Sequence, residues 1–140
     1  MQRIIVSMLA VVMFGFAATA SLAGGSSAVL DSYIKVSDAL AKDDLAAAKT
    51  AAAALADVSK TEKQDAISTE AAKVTTPTSL GQARKAFKAV SAEAIKLASG
   101  KDGYHVMTCP MVNADWVQTS TTIENPYMGK AMLDCGTEKK

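Results

Sequence analysis

The chain has 140 residues, with 15 Lys+Arg against 14 Asp+Glu and a formal net charge of +1. That length holds one domain, too little for a multidomain enzyme, and the balanced charge leaves no broad basic face for nucleic acid. Soft and rare side chains are unevenly spread. Of seven Met, three (Met1, Met8, Met13) precede residue 14. The other four (Met107, Met111, Met128, Met132) lie near the C-terminus with both Cys (Cys109, Cys135), the one His (His105) and the one Trp (Trp116).

Residues 1–23 read as a secretory signal peptide. Arg3 supplies the positive start, Ile4 to Ala18 is an apolar run broken by Ser7 and Gly15, and small residues follow in Ala18-Thr19-Ala20 and Ser21-Leu22-Ala23. An uncleaved anchor is the alternative, since about 20 apolar residues span a bilayer. The small residues that end the run, with no positive cluster after them, favour cleavage. No Cys follows to carry a lipid. Without Arg3 the mature chain carries 14 basic and 14 acidic residues and is neutral, which argues against polyanions and membrane surfaces as partners.

Residues 24–103 contain 20 Ala, the strongest helix former. Leu30, Tyr33, Ile34, Ser37 and Leu40 share one helical face, with Ser26 or Ser27 as the expected cap. Asp43 or Asp44 is expected to cap a second helix with a Leu45, Ala48, Ala52, Leu55 stripe. Thr61 and Gln64 have capping-box spacing ahead of Ile67, Ala71 and Val74. Thr76-Pro77 ends that helix, because the residue before proline disfavours the α region. Ser79 starts a fourth, with Leu80, Ala83, Phe87, Val90, Ala94 and Leu97 in phase and Gly100 at its C-terminal cap. The predicted fold is mainly α: a small antiparallel bundle of about four helices, with an irregular or short-β C-terminal tail packed on it as one domain. An Ala-rich coiled-coil assembly is the alternative, disfavoured by the short, punctuated segments.

The tail, residues 104–140, has a different character. Tyr104 to Met111 is rich in strand formers, and Pro110 is expected to confine it to an edge strand or an extended segment. Asn113-Ala114-Asp115 and Asn125-Pro126 read as turns, Trp116 to Ile123 as loop or strand, and Tyr127 to Cys135 as a helix-like turn ended by Gly136.

Two rows of soft donors follow from this reading. His105, Met107, Cys109 and Met111 are spaced by two and share a face if extended, while Met128, Met132 and Cys135 share a face if helical. Brought together, they offer two thiolates, four thioethers and one imidazole, a donor set that selects Cu(I) or Ag(I). Zinc would lack a fourth ligand. The alternative is structural. A Cys109–Cys135 disulfide, expected of an exported protein, would close a loop of about 27 residues and stabilise the tail by roughly 3 kcal/mol. The Met would then be core filler and Trp116 a packing anchor. No glycine-rich phosphate loop, CxxC, CxxCH or His–acid pair marks an enzyme, so a binding protein is expected.

Cys109-Pro110-Met111, Asp115-Trp116 and Asn125-Pro126-Tyr127-Met128-Gly129-Lys130-Ala131-Met132-Leu133-Asp134-Cys135-Gly136 together resemble a bacterial periplasmic domain family of unknown function. That family ends in Asn-Pro-Tyr-x-Gly-x-x-Met-x-x-Cys-Gly and is also found appended to membrane-fusion subunits of copper/silver efflux pumps. The resemblance covers most of residues 29–136, its specific part being the last 30 or so. It implies a periplasmic helical domain tied to heavy-metal handling, with an efflux adaptor or a cuproprotein as partner. Cys109, Met111, Met132 and Cys135 match its pattern, while Met107, Met128 and His105 are additional soft donors.

Overall fold

The computed structural model describes residues 22–140, with side chains from residue 25 onward. The expected signal peptide lies, as far as Ser21, outside the described residues. Four helices come first: α1 (Leu22–Ala41), α2 (Leu45–Thr61), α3 (Asp65–Val74) and α4 (Leu80–Ala98). Each packs on the next and α1 returns against α4, which closes the bundle.

The helix boundaries follow local chemistry. Asp44 caps α2 by accepting from the Ala47 N–H at 2.9 Å, and Ser79 caps α4 by accepting from the Gln82 N–H at 3.3 Å. Gln82 reaches back to the Thr78 N–H. Gly100 takes φ +74, the left-handed conformation that ends a helix without a Cβ penalty. Two expected caps are not formed. Ser26 and Ser27 lie inside α1, which is already helical from Leu22. Thr61 ends α2 with its hydroxyl donating to the Asp57 carbonyl, and Gln64 precedes α3 with no side-chain cap bond. Only Glu62, Lys63 and Gln64 separate those helices, so Thr61 belongs to the first and cannot open the second.

The expected stripes are the buried ones. Leu30, Tyr33, Leu40, Ala48, Ala52, Leu55, Ile67, Ala71, Val74, Ala83, Phe87, Val90 and Ala94 lie in one core, with Ile34, Leu45, Leu80 and Leu97 partly buried at its margin. Alanine at so many contact positions lets the backbones approach closely. Val29 and Val36 are also buried, because α1 meets α2, α4 and the tail and so hides a wider arc than a single stripe.

The tail folds into a three-stranded antiparallel sheet in the order β2-β1-β3, from β1 (His105–Cys109), β2 (Ala114–Gln118) and β3 (Thr137–Glu138). β1 is therefore the central strand and not an edge. Pro110 falls just past its end, in a turn where no ladder N–H is needed, so it does not limit pairing. Ala114 and Asp115 belong to β2, and the turn is confined to Pro110–Asn113 with Asn113 at φ +46. Of the helix-like segment before Gly136 only a 3-10 turn at Gly129–Ala131 forms. The sheet adds Met107, Cys109, Trp116 and Val117 to the bundle core, so bundle and tail share one interior.

Candidate functional site

Met107 and Cys109 are both fully buried on one face of β1, while Thr108 between them is half-buried. Cys109 ends the strand opposite Ala114, and its backbone is held there by the pairing. Cys135 arrives from the other end of the tail. Asn125 sets its position: the side-chain amide donates to the Cys135 carbonyl at 2.6 Å, and the side-chain oxygen accepts from the N–H groups of Tyr127 (2.8 Å) and Met128 (3.2 Å). The Asn125 backbone closes the same loop by donating to Leu133 and accepting from Gly129. Gly136 then passes under Trp116. A Cβ there would lie 2.8 Å from the indole and 2.9 Å from the Thr108 carbonyl, so only glycine fits.

The result is a contact between two free sulfurs. Cys109 Sγ and Cys135 Sγ are 2.7 Å apart, Cys109 buried and Cys135 half-buried. Burial, the largest influence on Cys109, opposes its ionisation. Hydrogen bonding from the Cys135 thiol, from the backbone N–H groups of Val112 and Met111 in the following turn, and from Asn125 outweighs it, so the Cys109 thiol lies below its ordinary range. Cys135 is pushed up, first by its hydrogen bond to Cys109, then by desolvation and by the nearby Cys109 and Asp134. If one sulfur of the pair carries charge, it is Cys109.

The seven expected soft donors do not form a single cluster. Met111 is 65% exposed in the turn after Cys109, and Met132 is 38% exposed three residues before Cys135. With Leu133 they are the large hydrophobic side chains that stand exposed among the described residues, and all three lie close in sequence to the sulfur pair. Met107 faces Trp116 across the β1–β2 ladder and belongs to the core, and Met128 packs partly buried against it. His105 lies four residues up β1 from Cys109, about 13 Å along the strand, where its Nδ1 pairs with Glu138 at 2.7 Å. The expected helical row of Met128, Met132 and Cys135 is not made, because the 3-10 turn stops at Ala131 and Met132 leaves helical geometry at φ −152. Among the described residues no three His, Cys, Asp or Glu side chains are grouped so that they could hold a metal ion.

Several positioning residues carry no motif. Gln118 is buried and makes four hydrogen bonds. Its oxygen accepts from Trp116 Nε1 and the Glu124 N–H, and its amide donates to the Ser120 and Thr122 carbonyls. Ser91 on α4 lies between the hydroxyls of Tyr33 (2.7 Å) and Tyr127 (2.8 Å), joining α1, α4 and the tail inside the core. Burial raises both phenols, so they stay neutral. Arg84 donates to the Leu40 and Pro126 carbonyls and pairs with Asp43, whose second oxygen accepts from the Lys130 N–H. Asn125-Pro126 was legible as a turn. That its amide would be buried beneath the sulfur pair was not, since a surface Asx turn has the same sequence.

The architecture is that of a closed four-helix bundle whose C-terminal extension forms a small sheet and carries a sulfur pair. Residues 29–103 match the model of a family described as "Protein of unknown function (DUF3347)", and the chain belongs to that family. The matched stretch is the helical bundle, and the sulfur-bearing sheet and loop lie beyond it. Nothing among curated proteins or solved structures matches the chain. No described helix is long and apolar enough to cross a membrane.

Proposed function

We propose that this protein is an exported, periplasmic heavy-metal-handling protein that binds Cu(I) or Ag(I) through the Cys109–Cys135 pair. It is a binding protein and not an enzyme, and it buffers the ion or passes it to an efflux adaptor or a cuproprotein. The observation that carries this reading is the meeting of two free sulfurs from opposite ends of the tail, 2.7 Å apart. Thiolate sulfur is the ligand that monovalent soft ions prefer. Met111 and Met132, exposed thioethers two and three residues from the paired cysteines in sequence, are the supporting ligands of choice. Met107 and Met128 serve packing, and His105 lies too far along β1 to share an ion with Cys109.

The cargo fits with a small adjustment. Thiolate–metal bonds of ~2.3 Å, the length found at zinc, hold two sulfurs on one ion roughly 3.8 Å apart in a tetrahedral site and farther apart in a linear one. The sulfurs must therefore move apart from their 2.7 Å contact. Titration with cuprous ion against a competing chelator tests this. Reduced protein is expected to bind one ion, Cys109→Ser and Cys135→Ser to lose it, and Met111→Leu with Met132→Leu to weaken it. No competition by the reduced protein overturns the reading.

A second reading draws on the same contact. The expected Cys109–Cys135 disulfide is not formed, both cysteines being free with their sulfurs 2.7 Å apart against about 2.05 Å in the bond. Oxidation of the pair would nonetheless make the tail a stapled interaction module of the cell envelope. Unchanged folding stability after reduction, with metal binding intact, argues against it.

A further inference from the structure

We infer that Cys109 and Cys135 form a reversible dithiol–disulfide couple in which Cys135 exchanges with the outside and Cys109 closes the bond. The two sulfurs stand 2.7 Å apart, and a disulfide needs about 2.05 Å, so one small side-chain movement closes it. Their exposures differ. Cys109 is fully enclosed at the end of the central strand, and Cys135 is half-buried in the loop that Asn125 organises. A reagent from solution therefore reaches Cys135 and not Cys109.

Exchange then proceeds in a fixed order, with a soluble disulfide R–S–S–R as oxidant. Cys135 ionises less readily than Cys109 but is the one that solution reaches, and its sulfur, passing its proton to water, attacks one sulfur of the reagent. A Cys135–S–R bond forms, the reagent's S–S bond breaks, and one R–S⁻ departs, taking up that proton from water as RSH. The Cys109 sulfur, already in contact, attacks Cys135 Sγ and loses its own proton. The Cys109–Cys135 bond forms, the second R–S⁻ leaves, and it takes up the proton as RSH. The protein pair loses two electrons and the reagent gains them. Because Cys135 remains partly accessible, two thiols can run the sequence backwards, unlike a structural disulfide sealed in a core. The consequence for the cargo rests on the function proposed above: the oxidised pair has no thiolate to offer, so the oxidation state of the couple decides whether the site holds metal. The couple itself depends on the sulfur geometry alone.

The test uses the full folded chain with oxidised glutathione, read by intact mass and by thiol counting with a maleimide. Wild type is expected to lose both free thiols while retaining no glutathione. Cys109→Ser is expected to trap one glutathione on Cys135, with Cys109→Ala as the second variant if a buried hydroxyl unsettles the core. Cys135→Ser is expected to react at least about tenfold more slowly while folded and to react readily in guanidinium. Wild type that keeps both thiols while Cys109→Ser is modified overturns the inference, as does a folded Cys135→Ser modified as fast as Cys109→Ser. Cuprous titration of the reduced protein separates the two proposals. Cycling thiols without metal binding leave the couple and remove the metal reading, and metal binding with thiols that never pair does the reverse.

Discussion

Between Leu22 and Ala98 the backbone satisfies itself: N–H and C=O groups pair inside four helices, and side chains have only to fill the space between them. From Thr119 to Gly136 the chain has one 3-10 turn, and side chains take over that work. Gln118 binds the 119–124 loop with three hydrogen bonds, Asn125 binds the 125–135 loop, and Arg84 ties Pro126 to the end of α1. The bundle distributes its stability over many small alanine contacts, so no single alanine is decisive. The tail concentrates its order in a few buried amides and one guanidinium, so each of them is. The same side-chain bonds hold the half-buried Cys135 against the buried Cys109.

Four changes test this contrast, in decreasing order of effect. Phe87 stacks on Tyr33 at 5.1 Å and meets Tyr127 at 5.9 Å, so it belongs to both regions. Phe87→Ala is expected to destabilise the whole molecule by about 4 kcal/mol, with helical dichroism and Trp116 fluorescence lost in one denaturant transition. Two separated transitions would mean that the regions do not share a core. Asn125→Ala leaves the Tyr127 and Met128 N–H groups and the Cys135 carbonyl without their partner. A loss of roughly 3 kcal/mol is expected, together with faster maleimide labelling of Cys135, while exposed Thr50→Ala in the bundle stays within about 0.5 kcal/mol. Equal effects at the two positions would dissolve the contrast.

Acid should weaken the ion pairs that tie the tail in place. The Arg84 hydrogen bond holds the Asp43 carboxyl below its ordinary range, and the Lys139 hydrogen bond does the same for Asp115. A folded-state value lowered in this way contributes stability that is complete above the unfolded carboxylate value of about 3.9. That contribution is lost as pH falls from there through the folded value. Asp38, raised chiefly by burial and then by Glu124, runs the opposite way and offsets part of the loss. Trp116 fluorescence and the helical signal are therefore expected to fall together below about pH 4, and Asp43→Asn to lessen the pH dependence of stability in that range. The smallest change is a gain. Ser59 on α2 is buried with no hydrogen-bond partner for its hydroxyl, so Ser59→Ala is expected to stabilise the bundle by about 1 kcal/mol, read as a higher denaturant midpoint.

The bundle was legible residue by residue because its signals are local. The spacing of Phe87, Val90 and Ala94 depends only on helical pitch, and Asp44 and Ser79 act on N–H groups three residues away. Where local reading went astray, a neighbour decided. Thr61 and Gln64 carry capping-box spacing, but the adjoining helix had already claimed Thr61. Pro110 would forbid a central strand only if it lay inside one, and it lies one residue beyond.

For the candidate site the division is sharper. The sequence by itself determined that all the sulfur outside the first 13 residues lies between Met107 and Cys135, and that alternation along β1 puts Met107 and Cys109 on one face. Which of those sulfurs meet was decided only by the tertiary structure. Pairing of β1 with both β2 and β3, the Asn125 loop and the passage of Gly136 under Trp116 bring Cys135 to Cys109 across 26 residues of chain. They leave His105 with Glu138 and turn Met107 into the core. The reason is physical: spacing fixes direction within an element, whereas contact between elements depends on buried hydrogen bonds that any Asn or Gln could have made elsewhere.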